Sequence, residues 1–240
     1  MKYSERYTLR WHDTDACRHA RPSAILMYMQ ETSNRHLSSL GLSLDELRDE
    51  KHLAFILSRM RLTIYRRPQA FEEIEVQTWT NPARGFSSER SFRMLSGEEV
   101  LAEASSTWAL LGTEDHKLHR PEETGYCFED EEAVDTGLPP RIRIPSDLPL
   151  TQWGERPIVY SDLDYNMHMN NTHYPDMLCD HLPLEDVERI RGISLSYLHE
   201  AAYGDRIALW GVKQEEGYLF RTFNQRGEVC LEAQILLDHA

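Results

Sequence analysis

Carboxylate, carboxamide and imidazole groups fall within seven residues in the stretch Asp162-Leu163-Asp164-Tyr165-Asn166-Met167-His168-Met169-Asn170-Asn171, at the expected mouth of a helix. A carboxylate so placed orients and deprotonates water, an amide and an imidazole fix that water or donate hydrogen bonds, and N–H groups at a helix start stabilise developing negative charge. The same residue types also cap helices and close turns. Asp162 is assigned to that structural role. Asp164, Asn166 and His168 are assigned to chemistry, because several polar types cluster there.

The pattern occurs twice. Asp13-Thr14-Asp15-Ala16-Cys17-Arg18-His19 repeats the spacing Asp-x-Asp-x-x-x-His, with Asp15 and Asp164 separated by 149 positions. Leu62, Ile64 and Ile74 then match Leu195, Tyr197 and Ile207 at a constant separation of 133. Further on, Gly97-Glu98-Glu99-Val100-Leu101-Ala102-Glu103-Ala104 resembles Gly227-Glu228-Val229-Cys230-Leu231-Glu232-Ala233 with one residue deleted. Three matches in one order define a tandem repeat, which has to be recognised before any fold assignment. The halves are drawn as residues 1–120 and 151–240. Residues 121–150, with Glu129-Asp130-Glu131-Glu132 and prolines 139, 140, 145 and 149, have the composition of an extended surface connector.

The elements that must carry these motifs follow from periodicity. After the first motif, Pro22 and Ser23 form a helix start, and Ile25, Leu26, Met29, Ser33, His36, Leu37 and Leu40 recur near 3.6-residue spacing until Gly41. A helix from Ser23 to Leu40 is about 27 Å long at roughly 1.5 Å per residue, enough to cross a sheet. Strand-like alternation follows at Met60, Leu62 and Ile64, then at Ile74, Val76 and Thr78, and continues through Phe86–Leu95 and Val100–Leu111 with Ser96-Gly97 as the turn. The second half repeats the order with a shorter helical stretch after Asn171. The expected class is α+β, each half a long helix wrapped by a curved antiparallel sheet. Pairing two such sheets removes exposed edges and is expected to place the helix starts near a seam.

Composition narrows the function. With 40% hydrophobic and 28% charged residues and no apolar run near roughly 18 residues, the chain reads as a soluble globular protein. The start Met1-Lys2-Tyr3-Ser4-Glu5-Arg6 lacks the apolar core of a secretory signal, so a cytoplasmic location is expected. A net charge of −14 opposes nucleic-acid binding, and Gly-rich phosphate loops and a Gly-x-Ser-x-Gly elbow are missing from the sequence. Cys17, Cys127, Cys179 and Cys230 form no Cys-x-x-Cys pair and read mostly as core residues; His116 and His119 have no second ligand pair nearby. No metal or cofactor is expected.

Ser161 to Asn171 closely resembles the active-site motif of acyl-acyl carrier protein thioesterases, and Thr78-Trp79, the early helix bearing Gln30-Glu31, and Leu195-Ser196-Tyr197-Leu198-His199-Glu200 resemble other landmarks of that family. The resemblance covers nearly the whole chain. It implies a tandem (double) hotdog fold and hydrolysis of a fatty acyl thioester on a carrier protein, releasing free fatty acid. It carries catalytic roles to Asp164, Asn166, His168 and Glu200. The chemistry is consistent with this, since a thiol with a pKa near 8.5 needs little help to leave. The sequence leaves open whether Glu200 or Asp164 is the base. Related plant enzymes show Glu-Cys where this chain has Glu200-Ala201, so direct water attack is the expected mechanism. Strict alternation from Ile193, Leu195 and Tyr197 points His199 rather than Glu200 toward the helix, so Glu200 requires a bulge or strand end, and His199 is the competing residue.

In the first copy Cys17 replaces the carboxamide and Arg67 aligns with Glu200, so that copy is read as inactive. By resemblance it forms the acyl pocket, with Ile25, Leu26, Met29 and Trp79 as candidate lining residues; ordinary core packing is the competing role. An acidic carrier would need local arginines, and Arg59, Arg61, Arg66, Arg67, Arg141 and Arg143 are the candidates. A homodimer is one possible assembly. An acyl-CoA thioesterase of the same fold and a non-catalytic acyl-binding module are the alternative functions.

Overall fold

The computed structural model describes residues 2–125 and 131–238. The expectations that touched Cys127, Glu129 and Asp130 lie outside the described residues. Two compact units are present, Met1–Met60 with Tyr65–Thr136, and Arg61–Ile64 with Gly137–Ala240.

In the first unit, strand β1 (Tyr3–Thr8) leads into the first motif turn, and Pro22 then starts helix α1 (Pro22–Ser39). Proline suits this position because its fixed φ is already helical and the first turn lacks N–H partners anyway. Gly41 takes φ +79°, which lets Leu42 N–H return to Leu37 O at 3.0 Å and closes the helix. The helix thus runs one residue earlier at each end than the periodicity placed it. Helix α2 (Leu44–Asp49) follows, capped by Ser43 Oγ accepting Glu46 N–H at 3.2 Å.

Strands β2 (Leu53–Ile64), β3 (Glu73–Arg84), β4 (Ser87–Ser96), β5 (Glu99–Gly112) and β6 (Leu118–His119) complete this part of the chain. Their order is β1-β3-β4-β5-β2, with β6 on β5. Alternation fixes the two faces. Val76 and Thr78 sit opposite Met94 and Phe92, and Arg90 Nη1 reaches both Thr78 Oγ1 (3.2 Å) and His36 Nδ1 (3.0 Å), so this face lies against α1. Ile25, Met29, Phe92 and Met94 are fully buried, and each such side chain contributes about 1.5–3 kcal/mol by leaving water.

The second unit repeats the scheme with β7 (Thr151–Pro157), helices α3 (Tyr174–Cys179) and α4 (Leu184–Glu188), and strands β8 (Ile190–Tyr197), β9 (Arg206–Gln214), β10 (Gly217–Phe223) and β11 (Val229–Leu237). Its order, β7-β9-β10-β11-β8, is that of the first unit element for element. Even the ion pairs recur: Arg93 bonds Glu103 directly opposite it, and Arg221 bonds Glu232 directly opposite it. The helix is much shorter than α1. A 3₁₀ turn at Asn171–His173 precedes it, and Pro175 occupies its second position.

The connector is less superficial than its composition suggested. Thr136 and Ile144 are buried, Trp79 Nε1 donates to Glu132 O (2.8 Å) in the first unit, and Arg221 Nη2 donates to Ile144 O (3.1 Å) in the second. Among the described residues no helix is long and apolar enough to cross a membrane.

Candidate active site

Asp164 builds the turn it belongs to. Its N–H donates to His168 O (2.8 Å), its carbonyl accepts Met167 N–H (3.1 Å), and its Oδ1 accepts the N–H groups of Asn166 (2.8 Å) and His168 (3.3 Å). Met167 adopts φ +66° to close the loop. Asp15 does the same in the first copy: Oδ1 accepts Cys17 N–H (2.9 Å) and His19 N–H (3.1 Å), and Arg18 takes φ +66°. The Asp-x-Asp-x-x-x-His spacing is therefore first a folding rule, in which the second aspartate's Oδ1 is consumed by the backbone.

What distinguishes the copies arrives from the strand that follows. In the second copy, Met169 N–H bonds Ala201 O (2.8 Å) and Tyr203 N–H bonds Met167 O (3.0 Å), laying the segment after β8 along the turn. Leu198 and His199 both aim their N–H groups at Cys230 O, at 2.9 and 3.4 Å. Two residues opposite one make a β-bulge, which reverses the alternation. Glu200 Oε2 consequently lies 3.2 Å from His168 Nε2, whereas His199 Nδ1 is turned to Val229 O at 2.8 Å. Of the two competing residues, Glu200 is the one placed beside the motif.

The first copy has the same bulge, with Tyr65 and Arg66 N–H both on Leu101 O at 2.9 and 3.1 Å. Here the bulge delivers Arg67, whose Nη1 lies 2.5 Å from Asp15 Oδ2, with only 6% of the arginine side chain exposed. Asp15 Oδ2 is thus occupied by a buried guanidinium. Among the described residues Asp164 Oδ2 meets Asn166 Nδ2 at 3.5 Å, and Asn166 itself is exposed.

Other residues of the motif hold the structure. Asp162 is buried, paired with Arg156 Nη2 at 2.5 Å and accepting Val159 N–H at 2.8 Å, the structural role its position suggested. Asn170 Oδ1 accepts Thr172 N–H (3.0 Å) and Asn170 O accepts His173 N–H (2.9 Å). Two of the helix-start amides expected to hold negative charge are therefore already taken. Tyr197 Oη donates to Asn171 O (2.9 Å) and packs edge-on against Tyr174; burial raises both phenol pKa values, so both stay protonated. Cys230 Sγ lies 3.9 Å from Glu200 O, and burial pushes its thiol pKa up to about 11. A thiol so protonated is a poor nucleophile.

A cleft of about 690 Å³ opens beside Asp164, lined by Tyr160, Ser161, Leu163, Asp164, Met167 and Tyr203. The sequence reading missed Tyr160 and Tyr203; the only available signal was aromatic residues in otherwise polar turns. Ile25, Leu26 and Met29 lie buried along α1 in the first unit and do not line this cleft. Trp79 is separated even from these three. Strand alternation turns it to the opposite face from Thr78, against the connector at Glu132, with Lys2 Nζ 4.3 Å from its ring centroid. At least three of the six candidate docking arginines are engaged internally, Arg61 with Leu138 O (3.4 Å), Arg66 with Glu72 and Glu99, and Arg67 with Asp15. Among the described residues no three His, Cys, Asp or Glu side chains gather as a metal site requires.

Two units, each a helix against an antiparallel sheet of one shared strand order, place the chain among double-hotdog proteins. Residues 1–125 match the sequence pattern described as the acyl-ACP thioesterase N-terminal domain and residues 153–237 the acyl-ACP thioesterase C-terminal domain, and the chain belongs to this family. The oleoyl-acyl carrier protein thioesterase of Coriandrum sativum, chloroplastic, is 24% identical over 227 residues, covering 85% of this chain and 61% of the relative. A chloroplastic oleoyl-acyl carrier protein thioesterase of Arabidopsis thaliana is 25% identical with the same coverage. The chain thus spans about three fifths of the length of these relatives. In fold it matches an acyl-ACP thioesterase from Bacteroides thetaiotaomicron (TM-score 0.89, 20% identity, 99% of this chain and 98% of that one). It also matches the 12:0-ACP thioesterase of Umbellularia californica (TM-score 0.85, 19% identity, 99% and 97%).

Proposed function

We propose that this chain hydrolyses fatty acyl thioesters carried on an acyl carrier protein, releasing the free fatty acid, and that the second motif turn is its reaction site. The observation that carries the reading is the difference at the second aspartate: Asp15 Oδ2 is held by the buried Arg67 guanidinium, whereas among the described residues Asp164 Oδ2 meets the exposed Asn166 amide and no cation.

In this mechanism Asp164 Oδ2 takes a proton from a water molecule as the water oxygen bonds to the thioester carbon. Asn166 Nδ2 steers that water. His168, held by Glu200 through Nε2, polarises the carbonyl oxygen, and the pair disperses charge as the tetrahedral intermediate forms. The C–S bond then breaks, and the proton held by Asp164 passes to the departing thiolate. A thiol of pKa near 8.5 leaves without stronger acid assistance. Cys230 takes no part, and Ala201 offers no nucleophile. The first unit acts as scaffold, with Ile25, Leu26 and Met29 buried along α1.

The test is thiol release by the purified protein from acyl thioesters of several chain lengths, on carrier protein and on coenzyme A in competition. Release that depends on Asp164 and His168 and favours the carrier supports the proposal. Preference for coenzyme A assigns the chain to acyl-CoA hydrolysis, and acyl binding without release makes it a binding module.

A further inference from the structure

Behind the second motif turn the core carries polar groups where the first copy has apolar ones. Tyr174 and Ile25 are 149 positions apart, as are Asp164 and Asp15; Tyr197 and Ile64 are 133 apart, and each directly precedes its bulge. Cys230 and Leu101 supply the carbonyl that the two bulge N–H groups share. Thr222 and Met94 also correspond, because each follows the arginine that bonds a glutamate directly opposite it, Arg221 with Glu232 and Arg93 with Glu103. Ile25, Ile64, Leu101 and Met94 are all buried. The second copy thus replaces four apolar side chains by two phenols, a thiol and a hydroxyl. Burying such groups is costly unless they are hydrogen-bonded, and a purely structural network would satisfy them within itself. Two of the four are satisfied: Tyr197 Oη donates to Asn171 O at 2.9 Å, and Cys230 Sγ stands 3.8 Å from Glu228 O. The other two are not. Thr222 Oγ1 is buried without a partner. Tyr174 is 3% exposed, and among the described residues its hydroxyl makes no hydrogen bond. Edge-on packing against Tyr197, with ring centroids 5.5 Å apart, fixes this ring beside the end of β8, just before the bulge that delivers Glu200.

We propose that the Tyr174 hydroxyl is a further catalytic group of the second copy, donating a hydrogen bond to the thioester oxygen as that oxygen takes up negative charge beside His168. The inference rests on the reading of Asp164 as the reaction site. Tyr174 does not line the cleft beside Asp164, so it meets the carbonyl from the buried side. The turn itself leaves room for such a donor: the N–H groups of Thr172 and His173, which a helix start would offer to an oxyanion, are both taken by Asn170. A buried donor with no acceptor of its own is set in advance for charge that appears only in the transition state, where its effect is greatest. Burial above all, then the neighbouring Cys230, Asp164 and Glu200, raises the pKa of this phenol. It therefore keeps its proton throughout, adding a hydrogen bond and transferring nothing. The first copy, with Ile25 in this place and Asp15 held by Arg67, lacks the donor and the free carboxylate together.

The experiment is Tyr174→Phe, which removes one oxygen and keeps the ring packing. Thr222→Val removes the other unpartnered hydroxyl and is the control for a change of polarity in this part of the core. Thiol release from acyl-carrier protein is measured for both, beside wild type and Asp164→Asn. The expected result for Tyr174→Phe is a fall in kcat of about 10²-fold with KM within about twofold of wild type, the signature of an interaction made only in the transition state. Its melting temperature should not drop, because the free protein loses no hydrogen bond. Thr222→Val is expected to keep kcat within about twofold. Unchanged kcat in Tyr174→Phe, an equal loss in the two variants, or a loss accompanied by a lower melting temperature overturns the proposal. Where that happens while Asp164→Asn has lost turnover, only the tyrosine's role falls and the reaction site stands. Where wild type itself releases no thiol, the proposed function falls and the tyrosine's role with it.

Discussion

The two motif turns share their backbone hydrogen bonds, their left-handed residue and the bulge that feeds them, and differ in the side chain the bulge delivers. Arg67 reaches across to Asp15 and neutralises it; Glu200 bypasses the aspartate and pairs with His168. One fold element thus yields a buried structural ion pair in one copy and an acid-amide-imidazole group in the other. The lesson is that the motif specifies a turn, and chemistry depends on what the neighbouring strand leaves open at the carboxylate.

The sharpest way to break this comparison is to move the arginine. Glu200→Arg gives the second copy the first copy's partner, and turnover of acyl-carrier protein is expected to fall by about 10³-fold, within the range set by general acid–base groups. The fold should survive, since the first copy already accommodates the pair; near-normal turnover would mean that occupancy of Asp164 is irrelevant. The converse change, Arg67→Ala, leaves Asp15 without its buried partner. Loss of one member of such a pair costs about 3–5 kcal/mol, so the melting temperature should drop by several degrees while turnover per folded molecule holds.

A smaller effect separates the units by pH. His36 stacks on Tyr3 and accepts from Arg90 inside the first unit, where burial and then the Arg90 charge lower its pKa from 6.5 to about 4. A histidine kept neutral in the folded state binds its proton more readily when unfolded. Its contribution is therefore complete above pH 6.5 and declines as pH falls toward 4, at a slope of up to about 1.4 kcal/mol per pH unit. Acid unfolding monitored in this window should flatten in His36→Gln. The smallest expected effect is at Cys230, whose thiol is pushed up to about 11: Cys230→Ala should leave kcat within about twofold of wild type, since a protonated, buried thiol supplies no nucleophile. A large loss there would revive covalent catalysis.

Much of this was legible in the residues themselves. The repeat, the first helix and the Arg67/Glu200 mismatch follow from periodicity and from matched spacings, because backbone geometry forces both copies to reuse the same turn. Three things were not legible. The bulge at Leu198-His199 depends on which carbonyl two consecutive N–H groups share, and alternation alone favoured His199. The orientation of Trp79 depends on the face its strand turns to α1, and that is fixed by the buried Arg90–His36 contact, a tertiary event. The cleft beside Tyr160 is lined by residues of the motif turn together with Tyr203, which lies far along the chain, a tertiary meeting with no periodicity to reveal it.

The central claim is that hydrolysis belongs to the second aspartate and structure to the first. Asparagine keeps an oxygen for the two backbone N–H groups in either turn while removing the charge, so it tests the claim without dismantling the loop. Thiol release from acyl-carrier protein, measured side by side for Asp164→Asn and Asp15→Asn, is expected to fall about 10²-fold or more in the first and to persist in the second, which should instead lose thermal stability. Equal turnover in the two variants, or loss only in Asp15→Asn, would contradict the account.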